Sequence, residues 1–227
     1  MSKSVKKLVE ETKEQGYTEL ELCDKSLSSI ADIPGLSKCT GHSYLVFSRV
    51  NRLSSLPRGL GTASGLEILD LTYNNLNEKS LPGNFSVMKQ LRALYLGDND
   101  FETLPPEIGE LRNLQVLVLR DNDLIELPKA LGNLVRLKEL HLQNNRLTAL
   151  PPELGELDMA NPRHLFKAEG NAWIQQLEDQ IVLGPSHVFE YIKTDGYKSL
   201  YERHITSGAA PPPKKEKEKT MKRSRRK

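Results

Sequence analysis

The sequence has little in common with a membrane or secreted protein. No stretch among its 227 residues approaches the roughly 20 consecutive apolar residues that a transmembrane helix requires. The N-terminal segment MSKSVKKLVEETKEQG is charged throughout and lacks the apolar run of a secretory signal. The only cysteines are Cys23 and Cys39, so at most one disulfide could form, and none near the C-terminal end. So few cysteines favour a reducing compartment. We therefore expect an intracellular protein.

Sequence signatures of catalysis and metal binding are also missing. There is no glycine-rich phosphate loop followed by Lys-Ser or Lys-Thr, and no G-x-S-x-G. The two cysteines lack the four-ligand spacing of a zinc site. Glu139 and His141 stand two residues apart, but no nucleophile or third orienting group accompanies them. We predict no enzyme activity, no catalytic residues, no cofactor and no metal.

The charge is unevenly distributed along the chain. The net charge is +2. The C-terminal segment, residues 211–227, has nine basic and two acidic residues, whereas the rest of the chain is mildly acidic. The segment therefore carries +7, which leaves −5 for residues 1–210. From Ser207 onward the sequence has no apolar content with which to fold, so we predict a disordered basic tail over residues 206–227.

A leucine pattern with a nearly constant period fills the middle of the chain. Each copy has the form L-x-x-L-x-L-x-x-N-x-L, with Phe101 in place of the last leucine in one copy, and is followed by a Leu-Pro pair. Copies begin at Leu66, Leu91, Leu114 and Leu137, with spacings of 25, 23 and 23 residues. This is the leucine-rich-repeat signature. The first interval is two residues longer than the other two, and we place this insertion within NEKSLPGNF.

The pattern predicts an α/β solenoid with a curved parallel sheet on its concave face and an irregular or helical convex face. Each repeat begins with a strand whose alternate leucines point inward, and stacked neighbours bury the core that one repeat cannot bury alone. An asparagine follows each strand at a turn, where its amide can both donate and accept hydrogen bonds. We predict a ladder of these side chains, made of Asn74, Asn99, Asn122 and Asn145.

The ends of the pattern predict terminal caps. Ser4 to Gln15 suits a short helix, and the following segment, with Leu20, Leu22, Leu27 and Ile30, imitates half a repeat with Lys25 at the asparagine position. Between Pro34 and Asn51 the pattern fails. Counting back from Asn51 puts Ser43, Val46 and Ser48 where leucines belong. The segment is therefore either a distorted repeat or one in which a strand has been replaced.

At the C-terminal end we predict a cap that contains the single tryptophan. KAEGNAW places Trp173 over the end of the core, and a helix then begins with Ser186 as its N-cap and is weakened by Gly196. The predicted organisation is one domain, residues 1–205, with regular repeats over about 51–157, followed by the tail.

The outward strand positions define a candidate binding face. Curved solenoids commonly bind partners there, and exposed Tyr and Arg are typical interface anchors. Val116 and Val118 point outward with no apparent structural reason to be apolar, and neighbouring acids suit a basic partner. The alternative is that these are ordinary solvated strand residues. The candidate partner-binding residues are Asp70, Tyr73, Tyr95, Asp98, Val118, Arg120, Asp121, His141 and Gln143.

Several segments resemble the Ras suppressor family of leucine-rich-repeat adaptors. They include MSKSVKKLVEE, LEILDLTYNNL, LRALYLGDNDFETLPPEIG, HVFEYI and LYERH. Together the matching segments cover nearly all of residues 1–11 and 51–204. Members of that family are longer by roughly two repeats ahead of residue 51, so the chain resembles a shortened form.

The resemblance implies a cytoplasmic adaptor at cell–matrix adhesions. Its implied partner is the LIM-domain adaptor PINCH, in an assembly with integrin-linked kinase and parvin, and its implied effect is to dampen Ras signalling. We expect a monomer that does not bind nucleic acid. The competing hypothesis is that the basic tail binds nucleic acid or an anionic membrane, although it has no aromatic residues to stack on bases.

Overall fold

A computed structural model describes residues 5–23, 43–47, 53–56, 60, 65–81 and 83–214. Within these ranges seven strands form one sheet, and each strand pairs in parallel with the next one along the chain. The strands are three residues long: β1 Glu19–Glu21, β2 Tyr44–Val46, β3 Ile68–Asp70, β4 Ala93–Tyr95, β5 Val116–Val118, β6 Glu139–His141 and β7 Leu165–Lys167. The sheet therefore extends beyond residues 51–157 at both ends.

The register of the sheet aligns the middle residues of all seven strands. These residues point into the core and are at most 9% exposed: Leu20, Leu45, Leu69, Leu94, Leu117, Leu140 and Phe166. Each buried leucine contributes on the order of 2 kcal/mol of hydrophobic stabilisation. The core is thus a continuous stack along the solenoid, as the repeat pattern predicts.

Short 3-10 helices cover the other side of the core. They span Glu78–Ser80, Phe85–Val87, Pro106–Glu110, Lys129–Asn133 and Pro152–Glu156. The interval between β3 and β4 contains two of them where later intervals contain one, which accommodates the two-residue insertion. Pro105, Pro128 and Pro151 precede the later helices and fix the backbone angle at which each begins.

Helices lie at both ends of the sheet. Helix α1, Val5–Glu14, packs Val9 against the core beside β1. After β7 come α2 Gln175–Leu183, α3 Pro185–Lys193 and α4 Asp195–Thr206. Val188, Phe189 and Ile192 of α3 are fully buried over the last repeat. No helix among the described residues is both long and apolar enough to cross a membrane.

The structure corrects the expected alignment of the irregular segment. Counting back from Asn51 directs Val46 and Ser48 inward, but Leu45 pairs with Leu69, and Leu45 and Phe47 are the residues that enter the core. One additional residue between Phe47 and Leu53, relative to the next repeat, shifts the frame. Strand β2 is therefore a true member of the sheet.

The C-terminal cap also differs from the prediction. Leu165–Lys167, just before and at the start of KAEGNAW, is a seventh strand rather than part of a cap. Ser186 lies inside α3, whose N-cap is Gly184, and Thr194 caps α4 by accepting a hydrogen bond from the amide of Tyr197. Gly196 falls in the first turn of α4, where glycine weakens a helix least.

The disorder of residues 206–227 stays a prediction. Among residues 207–214, all of which are exposed except the half-buried Pro212, Pro212 and Lys214 contact Arg146 and Glu102 of the repeats. The remaining tail, residues 215–227, lies outside the described residues. So do Lys25, Leu27 and Ile30 of the predicted half-repeat, and Cys39.

Candidate functional site

The asparagine that follows each strand is buried and hydrogen-bonded on both sides of its amide. Asn99 donates through Nδ2 to the carbonyls of Leu71 and Leu96, both at 3.0 Å, and accepts from the amide of Leu76 at 3.0 Å. Asn74, Asn122 and Asn145 repeat this arrangement, and all four side chains are at most 2% exposed. The ladder fixes the turn that ends each strand.

Sequence reasoning missed a further rung, Asn171. Its Nδ2 donates to the carbonyls of Leu142 and Ala168 at 2.9 Å, and its Oδ1 accepts from the amide of Leu147. The signal was present, because Phe166, Ala168 and Asn171 have the same spacing as Leu140, Leu142 and Asn145. The repeat was not recognised from the sequence because Ala168 occupies the position of the second strand leucine.

The residue before each ladder asparagine has a left-handed backbone. Tyr73, Asp98, Asp121 and Asn144 have φ angles of 55 to 58°. Asn and Asp tolerate this conformation better than other side chains, whereas a tyrosine there is uncommon. The turn directs these four side chains to one edge of the face that points away from the core, which we call the concave face.

A network centred on Arg120 occupies this edge. Its Nη1 lies 3.0 Å from Oδ2 of Asp98 and 2.6 Å from Oδ2 of Asp121. The guanidinium carbon lies 6.0 Å from the ring centroid of Tyr73. Asn144 donates to the other carboxylate oxygen of Asp121 at 2.9 Å. Four successive repeats thus contribute to one polar cluster.

Burial and charge act in opposite directions on Arg120. Partial burial would lower its pKa, but Asp98, Tyr73 and Asp121 together raise the pKa above the usual value. The cation is therefore permanent and already partly neutralised. It holds Asp98 and Asp121 in place instead of standing free for an anion.

The first outward position of successive strands forms an apolar strip. Tyr44, Ile68, Ala93 and Val116 are in register on β2 to β5. Ala93 is buried, and the other three are half-buried. The sequence did not identify Tyr44 as an outward residue, because the expected alignment of β2 was wrong. Adjacent apolar side chains on four strands give a partner a continuous hydrophobic surface.

The second outward position combines tyrosine, histidine and acid. Burial and then Glu139 raise the pKa of Tyr95, so its phenol remains a neutral donor. Burial and then Lys167 lower the pKa of His141, although Glu139 opposes them, with Nε2 and Oε2 3.5 Å apart. The imidazole is therefore neutral at pH 7. Asp70 at this position and Gln143 at the next outward position are also half-exposed polar residues of this face.

Val118 does have a structural reason to be apolar, contrary to the expectation from sequence. It is only 7% exposed. Its Cγ1 would lie 3.6 Å from a Cβ added to Gly97, and the Cγ of Arg120 would lie 3.3 Å from the same point. The side chains of Val118 and Arg120 thus crowd the space above Gly97. Val118 supports the face from beneath and offers a partner little surface.

The described concave face is strongly acidic. Its basic residues are Arg120 and Lys167, whereas its acids are Glu19, Glu21, Asp70, Asp98, Asp121, Glu139 and Glu169. With His141 neutral, the net charge is −5. A face of one sign attracts partners of the opposite sign. No cluster of three or more potential metal ligands occurs in the described part of the chain.

Comparison with known families agrees with this geometry. The model of the leucine-rich repeat region matches residues 42–161, which is more than half of the chain. The chain belongs to the leucine-rich-repeat family. A solved leucine-rich-repeat protein of Leptospira interrogans is 27% identical with a TM-score of 0.55, covering 72% of this chain and 46% of that one.

Another solved structure shares the fold alone. An internalin of Listeria monocytogenes is 22% identical with a TM-score of 0.51, covering 63% of this chain and 40% of that chain.

Curated relatives give a narrower similarity within the repeat family. Human Ras suppressor protein 1 is 46% identical over 148 residues, covering 45% of this chain and 53% of the human protein. The bovine protein is 47% identical with the same coverage. The chain thus spans about half the length of the curated relatives it matches.

Proposed function

We propose that the chain is a non-catalytic scaffold that binds a partner protein on its concave face. The observation that carries this proposal is the apolar strip beside the Arg120 network, both on a sheet surface open to solvent. Aromatic residues and arginine are enriched at the energetic centres of interfaces. Tyr73 is 41% exposed at the edge of this surface.

We further propose that the partner is a LIM-domain protein of the PINCH type. The support is the similarity to Ras suppressor protein 1, whose name links it to Ras signalling. On this proposal the chain acts in the cytoplasm at cell–matrix adhesions, associates indirectly with integrin-linked kinase and parvin, and modulates Ras signalling. The acidic concave face favours a partner surface with basic residues.

The proposed contacts centre on Tyr73, Tyr95 and Arg120, with Val118 as support beneath them. Asp98 and Asp121 fix the guanidinium, so the surface is preorganised before the partner arrives. Preorganisation reduces the entropy that binding costs. Glu139 and His141 lie on this open surface, where we assign them to partner contact and not to catalysis.

The first test is calorimetric binding of the full chain to the C-terminal LIM fragment of PINCH. We expect one-to-one binding, and we expect Tyr95→Ala to weaken it at least about tenfold, the scale of an interface anchor. Tyr17→Ala is the matched control, because Tyr17 is 60% exposed just before β1, off the proposed surface. If circular dichroism shows both variants to be folded, equal affinities would show that the binding site lies elsewhere.

A truncation tests the competing hypothesis that the basic tail is the binding element. A chain that ends after Lys214 lacks residues 215–227 and keeps the described structure. Unchanged affinity for the LIM fragment would support the concave face. Loss of binding in this chain alone, with Tyr95→Ala still fully active, would favour the tail.

A further inference from the structure

A second surface lies on the flank of the solenoid, where the chain leaves the sheet after each ladder asparagine. Backbone hydrogen bonds stack this segment from repeat to repeat, for example from the amide of Asp123 to the carbonyl of Phe101 and from the amide of Arg146 to the carbonyl of Leu124, both 2.9 Å. We call this surface the flank, and its polar residues are Asp100, Glu102, Asp123, Arg146 and Thr148.

The chain's own C-terminal segment lies on the flank. Near the end of α4, Nε2 of His204 is 2.8 Å from the hydroxyl of Thr148. Farther along, Arg146 donates from Nε to the carbonyl of Pro212 at 2.6 Å, and Lys214 forms an ion pair with Glu102. The segment therefore runs back along the flank, from the repeat of Arg146 to a repeat two positions earlier.

Three consecutive prolines, residues 211–213, suit this path. A polyproline II segment has no internal hydrogen bonds, so its carbonyls are free to accept, and it rises about 3.1 Å per residue. Neighbouring parallel strands are about 4.8 Å apart, so two repeats span roughly 10 Å. Two residues and the lysine side chain cover that distance between the Arg146 and Glu102 contacts.

Arg146 is a buried cation on the flank whose hydrogen-bonding groups are only partly satisfied. Its residue is 7% exposed, and its Nη1 has no hydrogen-bond partner within the described ranges. No carboxylate within 4.0 Å pairs with it among those residues. A buried guanidinium requires acceptors, and a chain of proline carbonyls supplies them without adding charge.

We propose that the flank is a second binding surface, separate from the concave face, which takes an extended proline-rich segment followed by lysine. In this chain residues 211–214 occupy it in cis. Arg146 binds the proline carbonyls, and Glu102 selects the lysine. The surface is therefore available to a proline-rich segment of another protein only when the chain's own segment is displaced.

The test adds the segment in trans to a full chain whose own segment is altered. In the opened variant, residues 211–214 become Gly-Ser-Gly-Ser, and the probe is a fluorescent peptide of residues 208–218, GAAPPPKKEKE. We expect the fluorescence anisotropy of the peptide to increase when it binds the opened variant. We expect its affinity for the unaltered chain to be at least about tenfold lower. The tethered segment competes at an effective concentration of about 1 mM.

Arginine variants locate the site within the opened chain. Arg146→Gln is expected to weaken peptide binding at least about tenfold, whereas Arg136→Gln is the matched control because Arg136 contacts Asn113 at an exposed position. If Arg146→Gln does not fold, Glu102→Lys serves instead. We expect it to weaken the native peptide and to restore binding of the peptide carrying Lys214→Glu.

Three results would overturn the proposal. The first is no binding to the opened variant at about 1 mM peptide, the effective concentration of the tethered segment. The second is equal binding to the opened and unaltered chains, which places the site off the flank. The third is equal affinity for a peptide with glycine at all three prolines, which leaves only charge attraction.

Discussion

At the scale of single residues, the asparagine ladder shows why one residue type recurs after every strand. The position needs a donor for two carbonyls and an acceptor for one amide, and the asparagine side chain supplies both. Aspartate lacks the donors and leucine lacks both functions. The preceding left-handed residue then directs its own side chain to the concave face, so one turn serves both the core and the candidate binding surface.

Replacing Asn122 is expected to cost about 1–3 kcal/mol of unfolding free energy. Asn122→Ala leaves the buried amide of Phe101 without its acceptor, whereas the carbonyls of Leu96 and Leu119 keep the hydrogen bonds that Asn99 and Asn145 donate to them. Urea unfolding followed by circular dichroism measures the change. Asn113→Ala is the control, because water can replace the exposed bond to Lys89. Equal midpoints for both variants would contradict this account.

At the scale of elements, close packing of the 3-10 helices on the convex side depends on glycine. A Cβ added to Gly109 would collide with the carbonyl of Ala130, and one added to Gly132 would collide with the carbonyl of Glu153. Each helix therefore lies directly against the backbone of the next. The last one is covered by α3, and the hydroxyl of Tyr197 in α4 donates to the carbonyl of Leu150 at 2.7 Å.

Gly109→Ala is expected to destabilise the chain by about 1–3 kcal/mol, the range for overpacking a well-packed site. The obstructing atoms belong to backbone, which cannot move aside as a flexible side chain can. Gly83→Ala is the matched control, since nothing lies within 4 Å of its added Cβ. Thermal unfolding compares them, and a Gly109→Ala chain as stable as Gly83→Ala would show that the helices can separate at little cost.

At the scale of the whole molecule, the charge is arranged by surface. The described concave face carries −5, while the basic residues concentrate beyond Pro211, where the first of them, Lys214, is already paired with Glu102 on the flank. The two proposed binding surfaces thus differ in their chemistry. The concave face combines acids with an apolar strip, and the flank presents a buried arginine to an extended segment.

Partner binding on the concave face is expected to weaken as salt rises. Raising ionic strength from about 0.05 to 0.5 M shortens the screening length from roughly 14 to 4 Å, and the association rate should fall most because steering acts at long range. Stopped-flow or surface-based kinetics with the LIM fragment measures both rates. A rate of association that does not change with salt would show that the acidic face does not contribute to encounter.

The sequence by itself determined the repeat fold, because each copy contains its own strand leucines and its own turn asparagine. Those requirements are local and recur at a fixed spacing, so they are visible without coordinates. Only the tertiary structure decided the frame of β2, where one additional residue before Leu53 breaks the count. It also decided the burial of Val118 and the contact of Arg146 with Pro212, 66 residues apart, since both depend on which distant side chains lie alongside.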